Sequence, residues 1–192
     1  MELRDRLQSI RVLVSSVSGV LNNNQDIIGE LDGKPFKGLV RSHYDGQGVS
    51  LLRAIGIHVA FVSSDWLSPD GPVADLVRRW NDLPSAKAQT NPWPPVKLIW
   101  DVVGTEQIKP VERWLNGIGL SFASCAVMGH DLVQVPLLKE GLLRVAPAQA
   151  EDVVKKMAHY ITPRPGGNGA LRDFANLLLE ARGVDPTTLP TR

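Results

Sequence analysis

Apolar and polar positions alternate along the chain with a period that switches repeatedly between that of a strand and that of a helix. Ile10–Ser15 (IRVLVS) is a short β-branched run closed by the turn signal Ser18-Gly19, which predicts a buried strand. From about residue 22 to residue 42, Gly29, Asp32-Gly33 and Pro35 punctuate short apolar pieces, the pattern of a β-hairpin. Gly46–Ile55 has helical spacing and stops at Gly56, and His58–Ser63 is a second buried strand. Val73, Leu76, Val77 and Trp80 then recur at helical intervals within Gly71–Trp80.

Asn81–Pro95 holds four prolines and no period, so it reads as a loop, and a loop of that length is functional or mobile. Beyond it the pattern predicts a strand at Lys97–Val103, a helix at Glu106–Ile118 and a strand at Ala123–Met128. It continues with a short helix at Leu132–Lys139 interrupted by Pro136, a strand at Leu142–Val145 and a helix at Gln149–Met157. A strand at His159–Ile161 and an amphipathic helix at Gly169–Ala181 follow, and residues 183–192 read as a flexible tail. Short buried strands separated by helices imply an α/β fold, a mostly parallel sheet with helices on both faces, in one domain over residues 1–182. Ligands of such sheets bind beyond the carboxyl ends of the strands. The candidate loops are therefore Ser16–Ser18, Ser63–Asp65, Gly104–Lys109 and Gly129–Asp131.

Composition narrows the function. The 192 residues carry 21 basic and 20 acidic groups, a net charge of +1, with no single-sign block that would recruit nucleic acid or an anionic membrane. The amino terminus MELRDRLQS lacks the apolar stretch of a secretory signal, and no apolar run approaches the roughly 18 residues of a membrane span. The one cysteine, Cys125, fits a reducing cytoplasm and reads as a core residue rather than a reactive one.

The four loops, in this order, resemble the motifs of the haloacid dehalogenase superfamily, nearest to its capless phosphatases of 3-deoxy-manno-octulosonate 8-phosphate and nonulosonate 9-phosphates. The family's DxDGVL loop corresponds to Ser16, Val17, Ser18, Gly19, Val20 and Leu21, and its DGxG turn to Asp45-Gly46-Gln47-Gly48. Ser63 matches the hydroxyl after the second strand and Lys109 the lysine before a helix. GDDxxDxP is matched by Gly129, His130, Asp131, Leu132, Val133, Gln134, Val135 and Pro136, and the run Val145–Phe174 resembles the family's carboxy-terminal segment. The resemblance covers about Ile10 to Leu179 and implies a three-layer Rossmann-like fold with a hairpin excursion and no large cap.

It also implies a chemistry these residues do not supply. In the family the first aspartate attacks phosphorus, the second cycles a proton, and acidic groups hold Mg²⁺. Ser16 and Ser18 are neutral and have no proton equilibrium near pH 7. His130 stands where a magnesium ligand is expected, although imidazole suits zinc or copper better, and Gln134 replaces another acid. Losing nucleophile and general acid together costs many powers of ten in rate. The expectation is a catalytically degenerate, phosphatase-like protein, structural, regulatory or anion-binding, with no cofactor required. Ser16, Ser18, Gly19, Ser63, Ser64 and Lys109 would still cradle a phosphate. The alternative is a phosphatase of sugar-acid phosphates, or an enzyme of altered mechanism in which His130 activates Ser16 or Ser18. If a metal binds, His130, Asp131 and His43 are its ligands.

The resemblance further implies a homo-oligomer, a tetramer, with hairpins meeting and Arg164, Gly166 and Gly167 of the glycine-rich tail reaching a neighbour. Pro163 and Pro165 replace the arginines that flank Arg164 in the family, and Arg172 matches another family arginine or is simply an exposed helix residue. Trp80, Trp100 and Trp114 read as core, and Trp66 as lining the cleft. Trp93, in the proline-rich insertion at about 81–95, is either a contact for a partner protein or packs that segment down.

Overall fold

A computed structural model describes residues 1–63, 71–100 and 102–190, with only the backbone at Lys37. Ser64, Asp65 and Trp66, and with them the expected phosphate-binding and cleft-lining roles of Ser64 and Trp66, lie outside the described residues.

The chain opens with α1 (Leu3–Ser9), a helix the hydrophobic pattern did not announce, and enters the central strand β1 (Val12–Ser16). All five β1 residues are buried, as a strand flanked on both sides and covered on both faces must be. The strands β2 (Asp26–Leu31) and β3 (Lys34–Leu39) form the hairpin. Its turn is Asp32-Gly33, where both residues have positive φ (53° and 72°) as a type I′ turn requires. The helix α2 (His43–Ala54), strand β4 (His58–Val62), helix α3 (Pro72–Asn81) and strand β5 (Lys97–Ile99) complete the first half. The second half runs α4 (Ile108–Gly117), β6 (Cys125–Met128), α5 (Val135–Glu140), β7 (Leu143–Ala146), α6 (Asp152–Met157), β8 (Tyr160–Ile161) and α7 (Ala170–Ala181).

The sheet order is β5-β4-β1-β6-β7-β8 and every pairing is parallel. Alternation along β1 divides the core: Leu13 packs with residues of α2, α3 and α7, whereas Val12 and Val14 pack with α4, α5 and α6. The three-layer α/β fold expected from the pattern is the one observed.

Several local expectations change. Asp45-Gly46-Gln47-Gly48 is not a turn but lies inside α2, which Ser42 starts by accepting the Tyr44 amide on its hydroxyl at 3.1 Å. Gly48 is needed there because a Cβ would come within 2.8 Å of the Arg172 backbone, so α2 and α7 touch backbone to backbone. The fifth strand ends at Ile99 rather than Val103. Pro136 sits in the first turn of α5 and starts that helix instead of interrupting it. In the tail expected to be flexible, Asp185 caps a short 3₁₀ turn, and Val184 and Leu189 pack against the core.

The proline-rich segment is pinned from beneath. Arg53, only 1% exposed, donates to the carbonyls of Pro94 at 2.7 Å and Trp80 at 2.8 Å, and its guanidinium lies 5.4 Å from the Trp93 ring centroid. Asn81 adds bonds to both the N–H and the C=O of Val96. Trp93 is 5% exposed. It packs the segment down and does not present the exposed aromatic that a partner contact needs. Trp80 is buried as expected, whereas Trp100 and Trp114 are only half-buried. Cys125 is fully buried, and burial pushes its thiol up to about 12, which fits a core residue.

Candidate functional site

The parallel sheet brings the carboxyl ends of β1, β4, β5 and β6 to one edge. The first loop, residues 17–21, begins directly at Ser16. Its chain reverses through Ser18 in extended conformation and Gly19 at φ 72°, ψ 0°, a conformation glycine adopts without strain. Ser16 is buried and its hydroxyl donates to the Ser18 carbonyl at 2.8 Å. The Gly19 N–H, expected to help cradle a phosphate, is instead held by the Asn22 side-chain oxygen at 3.2 Å, which also accepts from Asn24 at 2.9 Å. Ser63, after β4, is 2% exposed, and its N–H donates to the Ile99 carbonyl at 3.0 Å, which ties the second loop to the end of β5. Lys109 is exposed in the first turn of α4, and no partner for its ammonium lies among the described residues.

The fourth loop is built by a capping box. The Asp131 carboxylate accepts the Leu132 N–H at 2.6 Å, while the Gln134 side-chain oxygen accepts the Asp131 N–H at 3.0 Å. Gln134, expected to stand in for a catalytic acid, therefore shapes its own loop. The spacing Asp131-x-x-Gln134 was a readable sign of this in the sequence. His130 is 8% exposed, and its ring lies against Gly19, where a Cβ would strike it. Both ring nitrogens are buried without a partner among the described residues. Burial pushes its pKa down, more than Asp131 and Glu151 raise it, so the imidazole is neutral at pH 7.

Gln149 escaped the sequence reading as a residue of the site. The Gln149 amide donates to the Gly19 carbonyl at 2.7 Å and accepts the Gly166 N–H at 2.8 Å. Gly167 donates to the Val20 carbonyl at 2.8 Å. A Cβ on Gly166 would collide with Gly19, and one on Gly167 with Asn23. The glycine-rich segment thus clasps the first loop of its own chain. Asp45, fully buried, accepts the amides of Gly169 at 2.9 Å and Leu171 at 2.8 Å and so caps α7. Burial raises its pKa against the lowering by those amide bonds. Arg164 is held within the chain by Asp173, with Nη2 to Oδ1 at 2.6 Å and its own N–H to Oδ2 at 2.8 Å. Arg172 bonds Gln47 and Asn176 on the surface.

His43 is exposed and lines a cleft of about 720 Å³ beside α2, together with Arg41, Tyr44, Ser50 and Trp80. Among the described residues, none of the four motif loops lines that cleft. Among the described residues, no three of His, Cys, Asp and Glu gather to hold a metal, so His43 does not join His130 and Asp131. No helix among the described residues is long and apolar enough to cross a membrane.

No family model matches the chain. The sequence is 28% identical over 179 residues to the 3-deoxy-D-manno-octulosonate 8-phosphate phosphatase KdsC of Yersinia pestis, covering 92% of this chain and 83% of the relative. It is 29% identical over 183 residues to the protein of the same name from Escherichia coli strain K12, covering 93% and 84%. A solved structure of a probable yrbi family phosphatase from Pseudomonas syringae superposes with a TM-score of 0.76 at 27% identity, covering 94% of this chain and 91% of that one. Two fold neighbours at 22% identity and TM-score 0.72 are 3-deoxy-D-manno-octulosonate 8-phosphate phosphatases described with bound metal. That from Moraxella catarrhalis is a complex with magnesium ion, phosphate ion and KDO, covering 93% of this chain and 90% of that one; that from Haemophilus influenzae is a cobalt-bound form, covering 93% and 92%. These two overturn the expectation that no cofactor is called for, which rested on the missing carboxylates. The chain has the haloacid dehalogenase fold, and in sequence and architecture it resembles the 3-deoxy-D-manno-octulosonate 8-phosphate phosphatases.

Proposed function

We propose that this chain is a phosphatase-like protein that binds a phosphorylated sugar acid of the kind its relatives are named for, with the phosphate at the loops that end β1, β4 and β6. The observation that carries the reading is the retained strand-end arrangement of Ser16, Ser63 and His130 under a resemblance that spans more than nine-tenths of the chain. Ser64 and Lys109 belong to the same phosphate-binding set. Whatever hydrolysis the site performs runs by a route other than an aspartyl-phosphate, because Ser16 carries no carboxylate and its hydroxyl is turned to the Ser18 carbonyl.

A divalent metal belongs to this reading, since the fold neighbours are described with one. The unpartnered imidazole of His130 fits such an ion, with the Ser16 hydroxyl and the Asp131 carboxylate as its oxygen donors. A nitrogen donor in the set favours cobalt or zinc over magnesium. When bound, the ion would supply a positive charge against a phosphoryl oxygen. The chain's own residues hold the ester, and the buried serines exclude water beneath it.

A second reading, binding without turnover, is favoured by the two serines at positions 16 and 18 and by the commitment of Gln134 and Asp131 to their capping box. The hairpin face that carries exposed Ile27, Leu31 and Phe36 supports assembly as a homo-oligomer, a tetramer by resemblance.

The test is release of phosphate from a panel of sugar-acid phosphates with Mg²⁺, Mn²⁺, Co²⁺ or Zn²⁺, run beside calorimetric binding of the same esters. Metal-dependent turnover lost in His130→Ala establishes an altered phosphatase. Tight binding with turnover at the uncatalysed rate establishes the second reading. Neither binding nor turnover for any ester refutes both.

A further inference from the structure

β5 is an edge strand of the sheet, and beside it lies a groove of about 360 Å³. Lys97, Leu98 and Trp100 form one wall, and Pro110, Arg113 and Trp114 of α4 form the other. We propose that this groove docks an extended acidic peptide of a partner protein, which adds to the open side of β5 and lays its carboxylates on Lys97 and Arg113. The groove shares no residue with the phosphate-binding set, so the proposal stands or falls apart from that reading.

Only one side of the β5 backbone is occupied by the sheet. The Ile99 carbonyl accepts the Ser63 N–H at 3.0 Å and so faces β4, and Leu98, one residue earlier, turns its N–H and C=O the other way. Val96 points outward with the same parity, but Asn81 takes its C=O at 3.0 Å and its N–H at 2.8 Å. Asn81 therefore closes the edge at Val96 and leaves it open at Leu98. The opposite edge strand, β8, has two residues and runs into the glycine-rich clasp. An open strand edge is a template for one more strand, with main-chain bonds giving affinity and the flanking side chains giving selectivity.

The side chains choose the partner. Trp100 and Trp114 are half-buried, and Lys97 and Arg113 are exposed. Pro110, Arg113 and Trp114 stand at i, i+3 and i+4, so one face of α4 meets the groove. Among the described residues, neither cation forms an ion pair and neither indole N–H has an acceptor within the chain. No acidic side chain lines the groove among those residues. Four donor groups around one groove without an acceptor match carboxylates, and Trp with Arg is the composition of the positions that dominate interface energies. A groove walled by an unpaired strand fits an extended chain.

The probes are labelled octapeptides that alternate Glu with Val, Leu or Phe, their Gln and Lys counterparts, and a thymidine octanucleotide. Each is titrated into the full chain by fluorescence anisotropy. At least one Glu peptide is expected to bind with micromolar Kd, about tenfold more tightly than its Gln counterpart at low salt, with the Lys counterpart weaker still. The Lys97→Gln, Arg113→Gln double variant, changed only at exposed positions, should lose that preference. Methylating the backbone nitrogens along one edge of the Glu peptide should weaken binding about tenfold at unchanged charge. Equal binding of Glu and Gln peptides overturns the proposal, as does a preference that survives in the variant or binding indifferent to methylation. Tighter binding of the oligonucleotide than of any Glu peptide also overturns it, because the tryptophans would then stack bases. Absence of binding by every peptide up to about 1 mM does the same, and self-association of the chain that the double variant abolishes would then give the groove to a second copy. The methylated peptide is read on the natural protein, so the edge pairing stays refutable should the variant fold poorly.

Discussion

Replacing Arg53 by methionine isolates the anchor beneath the proline-rich segment. Methionine keeps most of the side-chain volume but removes the donors that satisfy the carbonyls of Pro94 and Trp80 and the stacking on Trp93. A buried acceptor left without its donor costs about 1–3 kcal/mol, and a desolvated cation over an aromatic ring adds about 2 kcal/mol. Against these stands the relief of no longer burying a guanidinium, which offsets part of the loss. A net destabilisation of about 3 kcal/mol follows, and for a chain of this length it lowers Tm by roughly 6–12 °C. Urea unfolding followed by tryptophan fluorescence measures the free energy, and limited proteolysis reads the segment, whose cleavage between residues 82 and 95 should accelerate before global unfolding. A loss below about 1 kcal/mol, with proteolysis unchanged, would show that Arg53 is incidental to the segment's order.

Gly166→Ala should cost more than about 3 kcal/mol or displace the first loop, because the new methyl meets the Gly19 backbone rather than a flexible side chain; a Tm within a degree or two of the natural protein would refute the clasp. Asp45→Asn leaves one of the two α7 amides without an acceptor and should cost about 1–3 kcal/mol by urea unfolding, with Asp45→Glu failing to rescue it in so tight a site. The His159 imidazole, which accepts the Arg144 N–H on Nδ1 at 3.0 Å, is pulled down to about 4, first by burial and then by the charge of Arg144. Its folded pKa lies below the unfolded value near 6.5, so the unfolded chain binds the extra proton and stability falls as pH drops from about 6.5 to 4. His159→Gln should narrow the difference in urea midpoint between pH 7 and pH 5, and an unchanged difference would assign that acid sensitivity elsewhere.

Strands and helices were legible where burial on both faces left a continuous apolar run, as in β1 and β4, or where a helical face repeated, as in α3 and α7. What escaped was set by single polar side chains acting across long sequence separations. Arg53 is far in sequence from Pro94, so nothing local in NPWPP announces that the segment is held down. Asp45 was read as part of a turn because Asp45-Gly46-Gln47-Gly48 resembles the family's DGxG turn, although Ser42 three residues earlier is a ready helix cap. The serines at 16 and 18 were correctly placed at a strand end, but no spacing told that the Ser16 hydroxyl would turn to the Ser18 carbonyl or that Gln149 would span Gly19 and Gly166. His130 was noticed as a substituted ligand, yet its neutrality follows from burial that only the packed ring against Gly19 reveals.

The clasp of Gly166 and Gly167 on the first loop also fixes an order of assembly. Ser16 is synthesised long before the partners that shape its loop, which come from Gln149 and from the glycines just before α7. A nascent chain stalled before residue 165 holds the whole sheet but lacks the glycines that clasp the first loop. The first loop therefore takes its final shape only after Gly166 and Gly167 have been made, about 150 residues after Ser16.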